Sequence, residues 1–292
     1  MTSVASHTEE LRSLEERPPP YPALYDHWER NQWAVSSLDF STDAESFAAL
    51  GERDQRAMAW LFAHRFHAEF NVATLLTPFL DAAPFYELEL LLATQIADEY
   101  KHLQCVLRIY REVFGVTGGI EAVREFAEAR KDPASQFLYE ALEQKVLALR
   151  HDRSEDAFLK AVFAYHIVAE GVVASVANRL VGSKYGELGF PGLAAGQRRV
   201  ALDEARHIGI GVAYVRERMQ LDREATASAL DDVLAETAII FDRVLELGKA
   251  SVEDVLEAGY GVDAERFGAE VLRTLEARLR SIGYLTEAGA PA

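Results

Sequence analysis

Thiols are almost missing from this sequence: Cys105 is the one cysteine in 292 residues. That excludes an intrachain disulfide framework, and equally a zinc or iron–sulfur site built on several thiolates. A metal held by this chain must be bound through nitrogen and oxygen. Basic charge is also short, with 30 lysines and arginines against 47 aspartates and glutamates and a formal net charge of −17. Such a balance repels phosphate backbones, so nucleic acid is not an expected partner. No uninterrupted apolar run approaches the roughly 20 residues of a membrane-spanning helix. The opening residues, Met1 to Pro20, are charged and proline-rich where a signal peptide would be apolar, and a cytoplasmic protein without a membrane span is expected. Strand-like alternation, internal repeats and low-complexity tracts are absent too, which leaves helices as the building material.

Hydrophobic residues make up 49% of the chain, ample for a large core. Four of the nine prolines fall within residues 1–30, three of them consecutive at Pro18, Pro19 and Pro20, and this stretch is expected to be an extended arm. From about Ala44 to Leu80 the residues Met58, Phe62, Phe66, Val72, Ala73, Leu76 and Leu80 recur at helical spacing. A second stripe, Leu92, Ile96, Leu103, Val106 and Tyr110, runs between Pro84 and the glycines from Gly115. Shorter segments fill 120–149. A third long helix is predicted over about 155–181 and a fourth over about 194–219, with two more amphipathic helices near 225–248 and 264–281. The expectation is an all-α protein with an arm over 1–30, one domain over 31–284 and a flexible end over 285–292. Four long helices with short connections suit a four-helix bundle, in which inward-facing residues meet on the axis.

Only two of the eight histidines have a glutamate three residues earlier, and both lie in Asp-Glu-x-x-His: DEYKH from Asp98 to His102 and DEARH from Asp203 to His207. Residues i and i+3 share a helix face, so each pair offers a carboxylate and an imidazole in one direction. A single Glu-x-x-His is expected by chance in so acidic a chain; two copies of the longer pattern on separate helices are not. Glu69 and Glu170 lie on the other two long stripes, among Phe, Val, Ile and Ala. A lone buried carboxylate costs on the order of several kcal/mol unless it is paired or binds a metal. Arg65, Lys101 and Arg206 are the cations available for the salt-bridge alternative. Glu69, Glu99, His102, Glu170, Glu204 and His207 together match the ligand set of di-metal carboxylate bundles, one Glu from each of two helices and Glu-x-x-His from each of the others. Four carboxylates balance two divalent ions, and oxygen donors with one imidazole per metal suit iron and manganese.

On these residues the sequence resembles the ribonucleotide reductase small-subunit superfamily, a ferritin-like group, and within it the ligand-binding oxidases with a mixed manganese–iron centre. The likeness runs from about Tyr21 to Leu247. The segment Trp33-x5-Asp39-x-Ser41-x-Asp43 is similar to the superfamily's opening pattern, and Gly189-Phe-Pro-Gly-Leu193 to the loop before its last ligand helix. The resemblance implies that the six residues are metal ligands and that Asp203 links a metal-bound histidine to the Trp33 indole. It implies no stored tyrosyl radical, because Val106 stands where the reductase subunits carry their tyrosine. In the ligand-binding oxidases an ether joins a valine three residues after the first ligand to a tyrosine five residues before the third helix's glutamate; Val72 and Tyr165 occupy those places here.

Five residues turn an ideal helix by about 500°, so Tyr165 shares the Glu170 side only across a wide turn, and a π-bulge is predicted between them. The resemblance further implies O2 as oxidant, one Mn and one Fe ion with two irons as the alternative, a two-electron oxidation, a homodimer, and a long-chain fatty acid or similar amphiphile beside the metals. A radical-generating small subunit of a ribonucleotide reductase is the alternative function. Tyr100, Cys105, Gly209 and Gly211 depart from the family pattern, and the physiological substrate has no signature in the sequence.

Overall fold

In a computed structural model, which describes residues 4–131, 133–251, 261 and 263–286, every element among the described residues is helical. In chain order the helices are α1 (Val4–Glu16), α2 (Tyr21–Arg30), α3 (Ser41–Ala49), α4 (Glu52–Leu75), α5 (Thr77–Ala82), α6 (Tyr86–Glu112), α7 (Gly119–Glu128), α8 (Pro133–Leu147), α9 (Glu155–Leu180), α10 (Pro191–Leu221), α11 (Arg223–Ser251) and α12 (Ala264–Ser281). The all-α class expected from periodicity is observed. The stripe from Ala44 to Leu80 is divided into α3, α4 and α5, broken at Gly51 and Leu76.

Burial patterns give the bundle its directions. The apolar core forms two clusters. Along α4, Met58, Phe62 and Phe66 belong to one cluster and Leu75 to the other. Along α6, Leu88, Leu91 and Leu92 belong to the second cluster and Leu103, Val106 and Ile109 to the first. Helix α9 passes from Phe158, Phe163 and Val168 in the second to Val176 and Leu180 in the first, and α10 from Leu193 and Val200 in the first to Ile208 and Val212 in the second. Each helix therefore changes cluster near its middle, α4 and α10 in one sense and α6 and α9 in the other. The six predicted ligands all lie at that changeover, as a polar layer between two apolar ones.

Helix α9 is long and apolar enough to cross a membrane, but 72% of its most apolar window is buried within the bundle. Its hydrophobicity is that of a central core helix packed against α10, α12 and α8. The start of α10 is fixed by a distant residue: the buried Asp43 carboxylate accepts the N–H groups of Gly192 at 2.8 Å and Leu193 at 2.7 Å. That satisfies two of the donors every helix leaves open at its N-terminus. A side chain at 192 has no room, since a Cβ there would lie 2.2 Å from the Asp39 carbonyl oxygen. The two separated sequence patterns, around Asp43 and Gly189–Leu193, are thus one contact.

The extended N-terminal arm is a misreading. Residues 4–30 form α1 and α2, and the prolines occupy only the break between them and the first turn of α2, where a missing N–H does no harm. Leu14 of α1 and Leu24 of α2 are buried in the core. Gly209 of α10 permits this approach, because a Cβ there would lie 2.8 Å from the Leu14 carbonyl oxygen. Of the end expected to be flexible, Leu285 packs against the core and 287–292 lie outside the described residues.

Candidate metal centre

Glu69 of α4, Glu99 and His102 of α6, Glu170 of α9, and Glu204 and His207 of α10 meet in two overlapping groups. One is Glu69, Glu99, His102 and Glu204; the other is Glu99, Glu170, Glu204 and His207, and within each group the candidate ligand atoms all lie within 4.8 Å of one another. The glutamates of the two motifs belong to both groups. Glu99 turns Oε2 toward His102 Nδ1 at 3.3 Å and Oε1 toward His207 Nδ1 at 3.1 Å. Glu204 does the same, with Oε1 3.4 Å from His102 Nδ1 and Oε2 3.6 Å from His207 Nδ1. Glu99 and Glu204 are therefore shared, while Glu69 and Glu170 each serve one half.

Both histidine Nδ1 atoms, Glu99 Oε1 and Glu170 Oε2 are buried without a hydrogen-bond partner among the described residues. Each such orphan costs about 1–3 kcal/mol, and four of them facing the same two places fit a pair of cations. Oxygen and imidazole donors with no thiolate suit manganese and iron. In the metal-free chain, burial works against charging the two imidazoles. The Asp203 carboxylate beside His102, the Asp98 carboxylate beside His207, and the negative charge of the nearby glutamates outweigh it and raise both pKa values well above the ordinary range. Burial raises Glu69 and Glu170, whereas the two histidines hold Glu204 below the usual carboxylate range despite its burial. Cations entering this centre displace the imidazole protons.

Behind each histidine stands the aspartate of the other motif. Asp203 Oδ2 lies 3.1 Å from His102 Nε2 and accepts the Trp33 indole N–H at 2.8 Å, the contact expected from the resemblance. Asp98 mirrors it across the bundle, with Oδ2 3.3 Å from His207 Nε2 and Oδ1 accepting from the Trp28 indole at 3.1 Å. The fourth residue of each motif is basic. Arg206 reaches Asp98 at 2.7 Å, and Lys101 spans both aspartates at 2.7 Å and 3.1 Å. Two of the three cations weighed as salt-bridge partners for the ligands are thus committed to the aspartates; Arg65 stands 3.6 Å from Glu69. The repeated Asp-Glu-x-x-His pattern held the signal for Asp98, while nothing marked Trp28 or the buried Gln95, which donates to Glu170 Oε1 at 2.9 Å.

No protein-family model matches the chain. Solved structures do. An R2-like ligand-binding oxidase with an aerobically reconstituted Mn/Fe cofactor superposes with a TM-score of 0.73 at 25% identity, covering 90% of this chain and 92% of that one. A point mutant of such an oxidase with an anaerobically reconstituted Mn/Fe cofactor gives 0.76 at 24% identity, over 90% and 93% of the two chains. Another, with an Fe/Fe cofactor, gives 0.74 at 24% identity over the same shares. The fold is that of the R2-like ligand-binding oxidases.

In this R2-like, ferritin-like bundle the predicted wide turn is present: Phe163–Ala174 of α9 is a π-helix. It brings Tyr165 and Glu170 toward one side, which an α-helix would not. Tyr165 is 3% exposed and its hydroxyl has no hydrogen-bond partner among the described residues. Burial, followed by the charge of Glu170, raises its pKa well above the ordinary value. Val72, partly buried, packs against the same apolar cluster that contains Tyr165.

Proposed function

We propose that this chain is an O2-activating dinuclear oxidase that holds one Mn and one Fe ion on Glu69, Glu99, His102, Glu170, Glu204 and His207. The observation that carries this reading is the pair of four-residue groups sharing Glu99 and Glu204, with both Nδ1 atoms buried and unpartnered. Solved structures of the same fold that bear Mn/Fe or Fe/Fe cofactors support it. When bound, the two ions supply electrons and open positions for the reduction of O2.

The chain's own residues set the direction of the oxidation. Asp98 and Asp203 orient the histidines and fix which ring nitrogen faces inward. Val72 and Tyr165 are the first groups oxidised. Joining Val72 Cβ to Tyr165 Oη breaks one tertiary C–H and one O–H bond, and two electrons and two protons pass to O2. A long-chain fatty acid or similar amphiphile is the ligand, and the cavity beside His102, about 10 Å³ and room for no more than one water, must open to admit it. Phe62, Val106, Ile109 and Leu193 give this cavity apolar walls, Arg65 offers a cation to a carboxylate head, and Gln197 Nε2 is a buried donor without a partner among the described residues. The working unit is a homodimer in the cytoplasm, with Trp33 and Asp203 as the polar link to His102.

Aerobic reconstitution of the metal-free protein with Mn and Fe, followed by metal analysis and peptide mass spectrometry, tests this reading. Two ions per chain and a linked Val72–Tyr165 peptide lacking two hydrogens are expected. Fewer than two ions would overturn the dinuclear centre, and two unmodified peptides at full loading would overturn the cross-link.

A further inference from the structure

The neighbour of Glu170 on its outer side is a neutral amide, and that amide is itself held. Gln95 donates from Nε2 to Glu170 Oε1 at 2.9 Å, and Gln95 Oε1 lies 3.0 Å from His166 Nε2. Both Gln95 and His166 are fully buried. Hydrogen-bond chemistry fixes the direction of this short chain. A carboxylate that binds a cation is ionised and only accepts, so Gln95 presents its NH2 to Glu170. Its carbonyl then faces His166, which must be the donor, with the proton on Nε2. His166 Nδ1 then carries no proton, and it is buried without a hydrogen-bond partner among the described residues.

We propose that His166 and Gln95 are positioning residues that hold Glu170 as a one-oxygen metal ligand. The His166 N–H pins the Gln95 carbonyl, the Gln95 NH2 occupies Glu170 Oε1, and Oε2, which has no partner among the described residues, is left for a cation. Without the His166 donor the amide is free to turn over, which sets carbonyl oxygen against carboxylate oxygen and releases Oε1. Glu170 then binds through both oxygens or shifts toward the second ion. This rests on Glu170 being a metal ligand of the proposed dinuclear centre.

Two features of the fold serve this arrangement. In a π-helix, with bonds from i to i+5, residues four and five positions away straddle one direction. His166 and Tyr165 therefore flank the Glu170 direction from either side, their rings 4.9 Å apart. Helix α10 also makes space. A Cβ on Gly211 would lie 2.4 Å from His166 Cβ, so a mid-helix glycine, about 1 kcal/mol worse than alanine in a helix, stands where His166 comes through.

The test uses metal-reconstituted protein and three variants: His166→Phe, which keeps a ring but loses the donor; His166→Gln, whose amide N–H reproduces the Nε2 donor; and Gln95→Leu, which breaks the chain at its other end. Ion affinity is read by chelator competition, and ligand geometry by the Mössbauer spectrum of the bound iron. Expected for both H166F and Q95L is a ~10-fold weaker hold on one ion, the usual scale for losing a partner of a metal ligand, with the same altered spectrum. H166Q should stay within about twofold of wild type and keep its spectrum. If H166F does not fold, Q95L against H166Q decides the matter. An unchanged spectrum and affinity in H166F or Q95L at full loading overturns the proposal, as does an H166Q spectrum shifted as far as that of Q95L. Failure of the underlying reading is separable: Glu170→Ala would then still bind two ions with the wild-type spectrum.

Discussion

In the half of the centre around His102, the terminal carboxylate Glu69 faces a guanidinium, Arg65, at 3.6 Å, and the aspartate behind the histidine contacts one cation, Lys101. In the half around His207 the order is reversed: Glu170 faces the neutral Gln95, and Asp98 contacts both Arg206 and Lys101. A cation beside a carboxylate draws electron density away from whatever that carboxylate supports. The first half thus pairs a weakened carboxylate with a strongly supported imidazole, and the second pairs a stronger carboxylate with a less supported imidazole. Donor sets that are identical on paper, one histidine and three glutamates each, become unequal through their outer neighbours. Two inequivalent positions are what a mixed-metal centre requires, because Mn and Fe differ too little in ligand preference for the donors alone to sort them.

The strongest way to break this picture is at a residue both halves share. Glu204→Ala removes an oxygen from each half, and loss of both ions by elemental analysis is expected, whereas Glu170→Ala should lose one. An E204A protein that keeps one ion at wild-type affinity would show that the halves are independent.

Next in size is the contrast between the aspartates. Asp98→Asn leaves Arg206, 1% exposed, facing a neutral group, while Lys101 keeps Asp203. Unpairing a buried charge in this way is expected to lower the stability of the metal-free chain by about 3–5 kcal/mol. Asp203→Asn, with one cation behind it, should cost nearer ~1–3 kcal/mol. Equal losses in urea unfolding would erase the proposed asymmetry.

The smallest effect is one of pH. Burial, helped by the positive charge of His207, holds His166 down to a pKa of about 3, against an ordinary value of 6.5. Between those values the unfolded chain binds a proton that the folded chain refuses, so this group's contribution to stability falls as the pH drops through the window. The metal-free H166Q protein should lose less stability than wild type between pH 6.5 and 3, measured by thermal unfolding; identical slopes would mean that His166 charges inside the fold.

The grouping of the six candidate ligands was legible because each is a polar residue on a stripe otherwise apolar, and the Asp-Glu-x-x-His motif that supplies four of them occurs twice. The π-helix was legible through the resemblance, which set Tyr165 on the Glu170 side although a step of five residues does not fit a regular turn. What escaped depended on contacts between helices. Asp98 stands in plain view within DEYKH, but its histidine is on the other ligand helix. Gln95 looks like any surface-helix polar residue, and His166 has no acid three residues before it; only the close pass of α6, α9 and α10 joins them. The N-terminal arm was misread because a proline cluster signals a break in a helix as well as the absence of one, and Leu14 and Leu24 showed their burial only once α10 was in place.

The crossed aspartates reach beyond electrostatics. Each belongs to one ligand helix and grips the histidine of the other, so α6 and α10 are pinned to each other at two points on opposite sides of the centre. Neither helix can slide by a turn or roll about its axis without breaking both grips at once. The candidate ligands on α6 and α10 are consequently set in register with each other by the chain itself, before any ion arrives.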